Sequence, residues 1–414
     1  MDPNIIAASS TSNIQSFSIQ FHIFNLLSLS NTNPLYNITR ATNSENPSSI
    51  KPFSIIFPQK VMSESNIIEN HSYPPIFRSP FNDTTRKLDL KDEQGEGAES
   101  TGTLDPLPLP LPLIDFQCLD DEKLDTACKE WGIFRLENHG VPSSLLRQLQ
   151  EHAKTLFRLP FEAKQGLAKR CPIKYFWGTP ALTSSGVALL RTSDALNMDW
   201  VEGLNVPVSQ LHQHLQHIHH DPLINDFRDL LEDYRGHLTR IASTLFEAMI
   251  NNLKLDLQQV KPCLDESTGL IRVYRYPRHT INEHVKGLHE HTDSSIISIL
   301  SEDQVGGLQL LKDDKWLKVE PIPNTLVVNL GDMMQVLSDD EYKSVKHKVE
   351  LNKNKERVSI GYFVFPEENT LINSSKYKPF SYNQFRAQVQ QDIKLHGTKI
   401  GLQNFKLPHT SQTV

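Results

Sequence analysis

Cysteine is scarce: Cys118, Cys128, Cys171 and Cys263 are the whole complement of a 414-residue chain, and none stand in C-x-x-C spacing. A disulfide scaffold is therefore not the basis of the fold, and free thiols in a reducing compartment are expected. No lysine- or arginine-rich block occurs and the formal net charge is −7, so there is no basic footprint for nucleic acid. Long apolar runs are missing as well, none reaching the roughly 18 residues that a membrane span needs. The expected partners are accordingly small molecules, with neither nucleic acid nor membrane among them. The length allows two domains or one large one with a substantial core.

Against that background a few residues stand out. His291 and Asp293 open the stretch His291-Thr-Asp-Ser-Ser-Ile-Ile-Ser-Ile-Leu300, rich in β-branched residues. In a strand, residues i and i+2 point to one face, so the pair is expected to grip one ion. Further on, Ser344-Val-Lys-His-Lys-Val-Glu350 alternates, with Val345, His347 and Val349 on one side and charged residues on the other. Two imidazoles and a carboxylate that leave coordination positions open make the donor set selecting non-haem Fe(II) for oxygen chemistry. A third strand-like run, Glu356 to Phe365, puts Arg357 and Ser359 on a common face. A guanidinium fork with a hydroxyl beside it suits a carboxylate, as a dicarboxylate such as 2-oxoglutarate would require.

Isolated triplets are weak signals. With 17 histidines and 49 acidic residues, about two His-x-acid triplets arise by chance, and His219-His220-Asp221 is a second one. The ordered set is harder to reach by accident: a histidine follows Asp293 by 54 positions (347 − 293), and Arg-x-Ser begins 10 positions after that (357 − 347). The histidines at 212, 214, 217, 219 and 220 read as a surface loop with no strand to fix their geometry. His289 is expected beside the metal site or at its entrance, and His139 in a buried turn.

At this point roughly residues 110 to 405 resemble a known family, the plant 2-oxoglutarate- and Fe(II)-dependent dioxygenases. The N-terminal half carries Ala127-Cys-Lys-Glu-Trp-Gly-Ile-Phe134 and Asn138-His-Gly-Val-Pro142. The C-terminal half carries Val305-Gly-Gly-Leu-Gln309, Asn329-Leu-Gly-Asp332 and Tyr342-Lys-Ser-Val-Lys-His347. Phe176-Trp-Gly-Thr-Pro180 and Trp200-Val-Glu-Gly203 are similar to stretches of its gibberellin-oxidising members, 2-beta-dioxygenase and 20-oxidase-like. The resemblance implies Tyr276 as a further contact of the far 2-oxoglutarate carboxylate, although Tyr274 stands where the family has Asn and His279 where it has Cys. The LPWKE stretch of gibberellin 20-oxidases is absent.

What the resemblance implies is an α+β protein with a double-stranded β-helix (jelly-roll) core buttressed by α-helices. Iron would sit on His291, Asp293 and His347, 2-oxoglutarate on Arg357, Ser359 and Tyr276, and ascorbate would serve as reductant. The reaction would be oxidation of a small hydrophobic plant metabolite, a gibberellin-type diterpenoid first, with other terpenoids, steroids or phenolics as alternatives. Phe176, Trp177, Phe363 and Phe365 are candidates for an apolar substrate pocket, although aromatic residues at such positions are core more often than ligand contacts. A non-catalytic ligand-binding protein of the same fold and a zinc hydrolase are the readings from other classes.

Residues 1–104 lack helical periodicity, are rich in Ser and Asn, and read as a disordered extension. Met62 offers an alternative start that leaves 353 residues (414 − 61), and residues 1–61 otherwise have a faint transit-peptide character. A cytoplasmic monomer is expected, or a plastid one if that leader is real. Beyond it, 105–260 is expected as an N-terminal helical region, 261–370 as the catalytic jelly roll, and 371–414 as a closing helix and tail. Apolar spacing predicts helices within 121–171, over Phe227 to Leu253, and over Ser381 to His396 with a core-facing stripe of Tyr382, Phe385, Val389 and Ile393.

Overall fold

The computed structural model describes residues 71–75, 110–169, 173–178, 199–211, 221–278 and 285–408. All of them belong to the second of two units, Val61–Val414. The histidine-rich loop at 212–220, His279 and most of the expected extension lie outside the described residues.

In chain order the strands are β1 (Leu113–Asp115), β2 (Ile133–Glu137), β3 (Lys174–Trp177), β4 (Glu202–Pro207), β5 (Asp265–Tyr276), β6 (Leu288–His291), β7 (Ile297–Glu302), β8 (Leu308–Lys312), β9 (Lys315–Lys318), β10 (Leu326–Leu330), β11 (His347–Val349), β12 (Arg357–Phe365), β13 (Leu371–Ile372) and β14 (Phe380–Ser381). Among the described residues the helices of six residues or more are α1 (Asp121–Glu130), α2 (Ser143–Phe157), α3 (Pro222–Asn252), α4 (Asp332–Leu337) and α5 (Tyr382–His396). Eight strands form the main sheet in the order β1-β2-β10-β7-β12-β5-β4-β3, antiparallel except for β1 on β2. The minor sheet runs β6-β11-β8-β9. The jelly-roll expectation holds, and the expected 105–260 and 261–370 regions share one sheet, because β2 and β4 pair with β10 and β5.

Two apolar layers explain the arrangement. One face of the main sheet buries Ile271, Val273, Val358, Ile360, Tyr362 and Val364 against the helices. Helix α3 presents Phe227, Leu231, Tyr234, Leu238, Ile241, Leu245 and Met249 to that layer, a three-to-four-residue stripe. Asp221 caps it by accepting from the Leu223 amide, and Pro222 opens the first turn. The other face of the main sheet shares a cluster with the minor sheet, built from Tyr274, Tyr276, Val327 and Phe363 on one side and Leu308, Leu310 and Val349 on the other. The site lies in this inter-sheet space.

Several local expectations change. The stretch 121–171 is not all helix: Ile133–Glu137 is a strand buried between β1 and β10, where β-branched and aromatic residues outweigh the surrounding helical pattern. Residues 71–75, inside the expected solvated extension, are packed. Ser72 is buried and its carbonyl accepts from Lys164 Nζ at 2.9 Å, while Tyr73 lies edge-on to Trp177. Helix α5 follows the expectation for three of its four stripe residues, with Phe385 and Tyr382 buried and Val389 packed on the core, while Ile393 is only half-buried outside the core clusters and Asp392 is buried beside it. Ser381 and Gln384 close it with a reciprocal capping box.

Candidate metal and co-substrate site

His291 ends β6 and His347 begins β11, and the antiparallel pairing sets them opposite one another, with ring centroids 4.3 Å apart. Asp293 is not on the same strand as His291, contrary to the expectation. The chain leaves the minor sheet after His291 and enters the main sheet only at Ile297, so Asp293 lies in the crossing segment. Asp293 still stands beside His291, because the crossing is pinned from the end of β10. The Asp332 amide donates to the Asp293 carbonyl at 2.8 Å, Met333 N to Ser295 O at 3.2 Å and Gly331 N to Ile296 O at 3.0 Å. Gly331 has to be glycine, since a Cβ there would stand 2.0 Å from the Ser295 carbonyl. Lys399, just beyond α5, ties the same crossing by donating to Thr292 O and Ser294 Oγ, each at 2.9 Å, and pairing with Asp332.

The three side chains offer ligand atoms all within 4.8 Å of one another. Both imidazole Nε2 atoms are 3.8 Å from Asp293 Oδ1. Each histidine turns its Nδ1 to the carbonyl two residues earlier, His291 to His289 O at 2.7 Å and His347 to Val345 O at 3.1 Å, which leaves both Nε2 atoms free to face the shared centre. Asn329 donates to Asp293 Oδ2 at 2.6 Å and so aims Oδ1 inward. Burial and the adjacent His347 push His291 down to about 3, so it is a neutral donor at neutral pH. Burial opposes ionisation of Asp293, but the two imidazoles and the Ser298 and Asn329 donors outweigh it and hold the carboxyl below its usual range. Two imidazole nitrogens and one carboxylate oxygen within reach of one point fit a single divalent ion with open positions, the set suited to Fe(II).

The carboxylate partners lie in register: Arg357 of β12 pairs with Tyr276 of β5, and Ser359 with Tyr274. The guanidinium sits over the Tyr276 ring at 5.1 Å, Nη1 donates to Ser359 Oγ at 3.2 Å, and Nη2 to Glu302 Oε2 at 3.1 Å. Glu302 in turn accepts from Arg135 at 3.1 Å, so it braces two buried arginines from behind. Arg357 Nε is buried and donates to nothing among the described residues. An unspent donor beside a serine hydroxyl and a tyrosine fits a carboxylate such as the far end of 2-oxoglutarate.

Of the four aromatic residues expected to line a pocket, Phe176, Phe363 and Phe365 reach the inter-sheet cluster, with Phe176 edge-on to Tyr274 at 6.0 Å. Trp177 packs on Trp200 at 5.4 Å, a contact of a core, and Phe365 bridges the two apolar layers, stacking on Tyr382 of α5 at 5.4 Å. The Trp-x-Glu-Gly stretch is also structural. Glu202 is fully buried, accepting from Lys164, from Arg275 at 2.7 Å and from the Tyr175 hydroxyl at 2.7 Å, and Gly203 leaves the space that Phe176 fills. His289 hydrogen-bonds Asp199, which also accepts its backbone amide at 2.7 Å, so it braces β6 beside His291. His139 sits in its turn as expected, accepting from Val141 N at 3.1 Å with Nε2 on Asn324 O. Asp199, Asn329, Glu302 and Lys399 were not singled out from the sequence. Only Asn329 had a signal, its place in Asn-Leu-Gly-Asp.

The comparisons decide the family. Residues 267–366 match the 2OG-Fe(II) oxygenase superfamily and residues 111–223 match the non-haem dioxygenase in morphine synthesis N-terminal region. Gibberellin 2-beta-dioxygenase 6 of Oryza sativa subsp. japonica is 36% identical over 298 residues, 67% of this chain and 77% of that protein. The chain belongs to the 2OG-Fe(II) oxygenase superfamily. Gibberellin 2-beta-dioxygenase 8 of Arabidopsis thaliana is 34% identical, covering 71% of this oxygenase and 86% of the relative. Other relatives are named for different activities, such as an oxoglutarate-dependent flavonoid 7-O-demethylase of Ocimum basilicum at 32% identity over 64% of the oxygenase and 71% of the relative. Among solved structures, that of JOX2 in complex with 2OG, Fe and JA aligns with a TM-score of 0.59 at 27% identity, over 73% of the oxygenase and 91% of that chain. The oxygenase is thus a 2-oxoglutarate-dependent dioxygenase with a His-Asp-His cluster where its donors can share an ion.

Proposed function

We propose that this oxygenase oxidises a small, mostly hydrocarbon plant acid, a gibberellin-type diterpenoid first. His291, Asp293 and His347 hold Fe(II), and Arg357, Ser359 and Tyr276 receive the far carboxylate of 2-oxoglutarate. The observation that carries the reading is the pair of matched sites on facing sheets: a two-histidine, one-carboxylate cluster and a buried arginine with an unspent Nε. The similarity to two gibberellin 2-beta-dioxygenases supports the substrate class.

With iron and 2-oxoglutarate bound, the site supplies oxidative decarboxylation of the co-substrate coupled to oxidation of a substrate C–H bond. The chain's own work is orientation and exclusion of water. The Nδ1 hydrogen bonds fix both imidazoles, Asn329 fixes the carboxylate, and Glu302 and Ser359 fix the Arg357 fork. Phe176, Phe363 and the apolar cluster around them keep the space between the sheets dry. Ascorbate as reductant and a monomeric, cytoplasmic protein belong to the same reading.

Succinate formation by the residue 62–414 protein with Fe(II), ascorbate and 2-oxoglutarate, across a panel of gibberellins, tests it. A rise with one gibberellin above the no-substrate rate supports the assignment. Turnover that no gibberellin alters, yet exceeds a His291→Ala control, keeps the oxygenase and moves the substrate to another terpenoid, steroid or phenolic. No turnover at all favours a ligand-binding member of the fold.

A further inference from the structure

Arginines on this sheet are satisfied by carboxylates, with one exception among the described residues. Arg135 and Arg357 share Glu302, and Arg275 holds Glu202 and Glu356. Arg272, on the same strand as Arg275, has no carboxylate within ion-pairing distance among the described residues. Nη1 donates to the Tyr274 hydroxyl at 3.3 Å, the guanidinium lies over the Phe363 ring at 5.3 Å, and Nε is buried without an acceptor. Period two places Arg272, Tyr274 and Tyr276 on one face of β5, the face whose tyrosines line the inter-sheet cluster. Asn205 is the register partner of Arg272 on β4, and its Oδ1 is likewise buried and unpaired. Asp293 lies close enough for its charge to act on Arg272.

A cation in such a place is costly unless an anion joins it, because desolvation is offset only by a charged partner or a full set of hydrogen bonds. The far carboxylate of 2-oxoglutarate is not that anion if it docks at Arg357. Arg272 is four residues from Tyr276, roughly 13 Å along the strand, which exceeds the length of a five-carbon chain. The ring of Phe363 below the guanidinium, and that of Phe176 of β3 edge-on to the adjacent Tyr274, give an apolar floor beside one charge. That combination selects a rigid hydrocarbon carrying a carboxylate. Tyr274, standing where the resembled family has asparagine, contributes the hydroxyl that steers the guanidinium.

We infer that Arg272, steered by Tyr274, is the anchor for a carboxylate of the prime substrate, with Phe363 and Phe176 against its hydrocarbon part. The inference deepens the substrate class proposed above and rests on that reading. It is tested with the protein loaded with Mn(II) and 2-oxoglutarate, which does not turn over, and with abietic acid, a tricyclic diterpene monocarboxylate, against its methyl ester. Isothermal titration of wild type should show the acid binding at least about 10-fold more tightly than the ester, the worth of a charge-assisted hydrogen bond. Arg272→Met should erase that preference by lowering acid affinity, with ester and 2-oxoglutarate affinities within twofold of wild type, and Arg272→Lys should restore part of it. Equal binding of acid and ester by wild type, no binding of either, a preference that survives Arg272→Met, or a parallel loss of 2-oxoglutarate affinity would each overturn the anchor. The two readings fail separately: gibberellins that do not stimulate succinate release sink the hormone assignment, while an Arg272-dependent acid preference would still stand.

Discussion

Replacing Asn329 by Ala removes one hydrogen bond and no metal ligand, which makes it a sharp test of how the centre is held. In the intact protein the Asn329 amide donates to Asp293 Oδ2 at 2.6 Å, and both residues are buried, at 2% and 8% exposure. Without it the carboxylate keeps the nearby Ser298 hydroxyl and the Asp332 amide bond to its backbone, but Oδ1 is no longer aimed between the two imidazoles. Loss of a group that orients a ligand typically weakens metal affinity about 10- to 100-fold, equivalent to about 1.4–2.7 kcal/mol. The buried carboxylate oxygen left without its donor adds about 1–3 kcal/mol of destabilisation to the metal-free protein. Anaerobic titration with Co(II), followed by its visible absorption, measures the first quantity, and urea unfolding of metal-free protein the second. A folded Asn329→Ala protein that binds Co(II) within twofold of wild type would refute the argument that this amide orients Asp293.

Three further outcomes follow from the same geometry. Gly331→Ala should lower Tm and abolish tight Co(II) binding together, since its Cβ would meet the Ser295 carbonyl and the strain, about 1–3 kcal/mol, falls on the segment carrying Asp293; normal metal affinity in a destabilised variant would show that the crossing relaxes independently. Glu302→Ala strands Arg135 and Arg357 and should cost about 3–5 kcal/mol in urea unfolding, the range for breaking a buried ion pair; a loss under 1 kcal/mol would mean that water replaces the carboxylate. Burial holds His139 below the ordinary histidine value, so the unfolded chain takes up a proton there first. Its contribution is complete above about pH 6.5 and fades as pH falls through the lowered folded value. His139→Gln should therefore flatten the acid side of a Tm-versus-pH profile between pH 5 and 7, and an unchanged slope would remove His139 as its source.

What the sequence settled by itself is what depends on short-range pattern. Period-two alternation in Arg357 to Phe365 put Arg357 and Ser359 on one face, and β12 places them there. The 3.6-residue stripe of α3 was legible for the same reason, since burial of a face imposes its period locally. The alternation around His347 was only half right. Lys348, expected on the charged face opposite His347, is buried over the Trp316 ring at 4.5 Å and pairs with Glu350 at 2.8 Å, because Trp316 of β9, two strands away in the same sheet, lies against it.

Only the tertiary structure decided what depends on elements distant in the chain. His291 and His347 meet because β6 and β11 pair, and Asp293 joins them because Asn329 and the Asp332 amide hold a crossing segment that is not a strand. Glu302 reaches Arg135 across 167 positions and Lys399 reaches Thr292 across 107, separations at which no periodicity links one residue to another. The difference between Arg272 and Arg275 is likewise invisible in sequence. They are three positions apart on one strand, and opposite faces give one two carboxylates and leave the other's Nε unpaired in the space between the sheets.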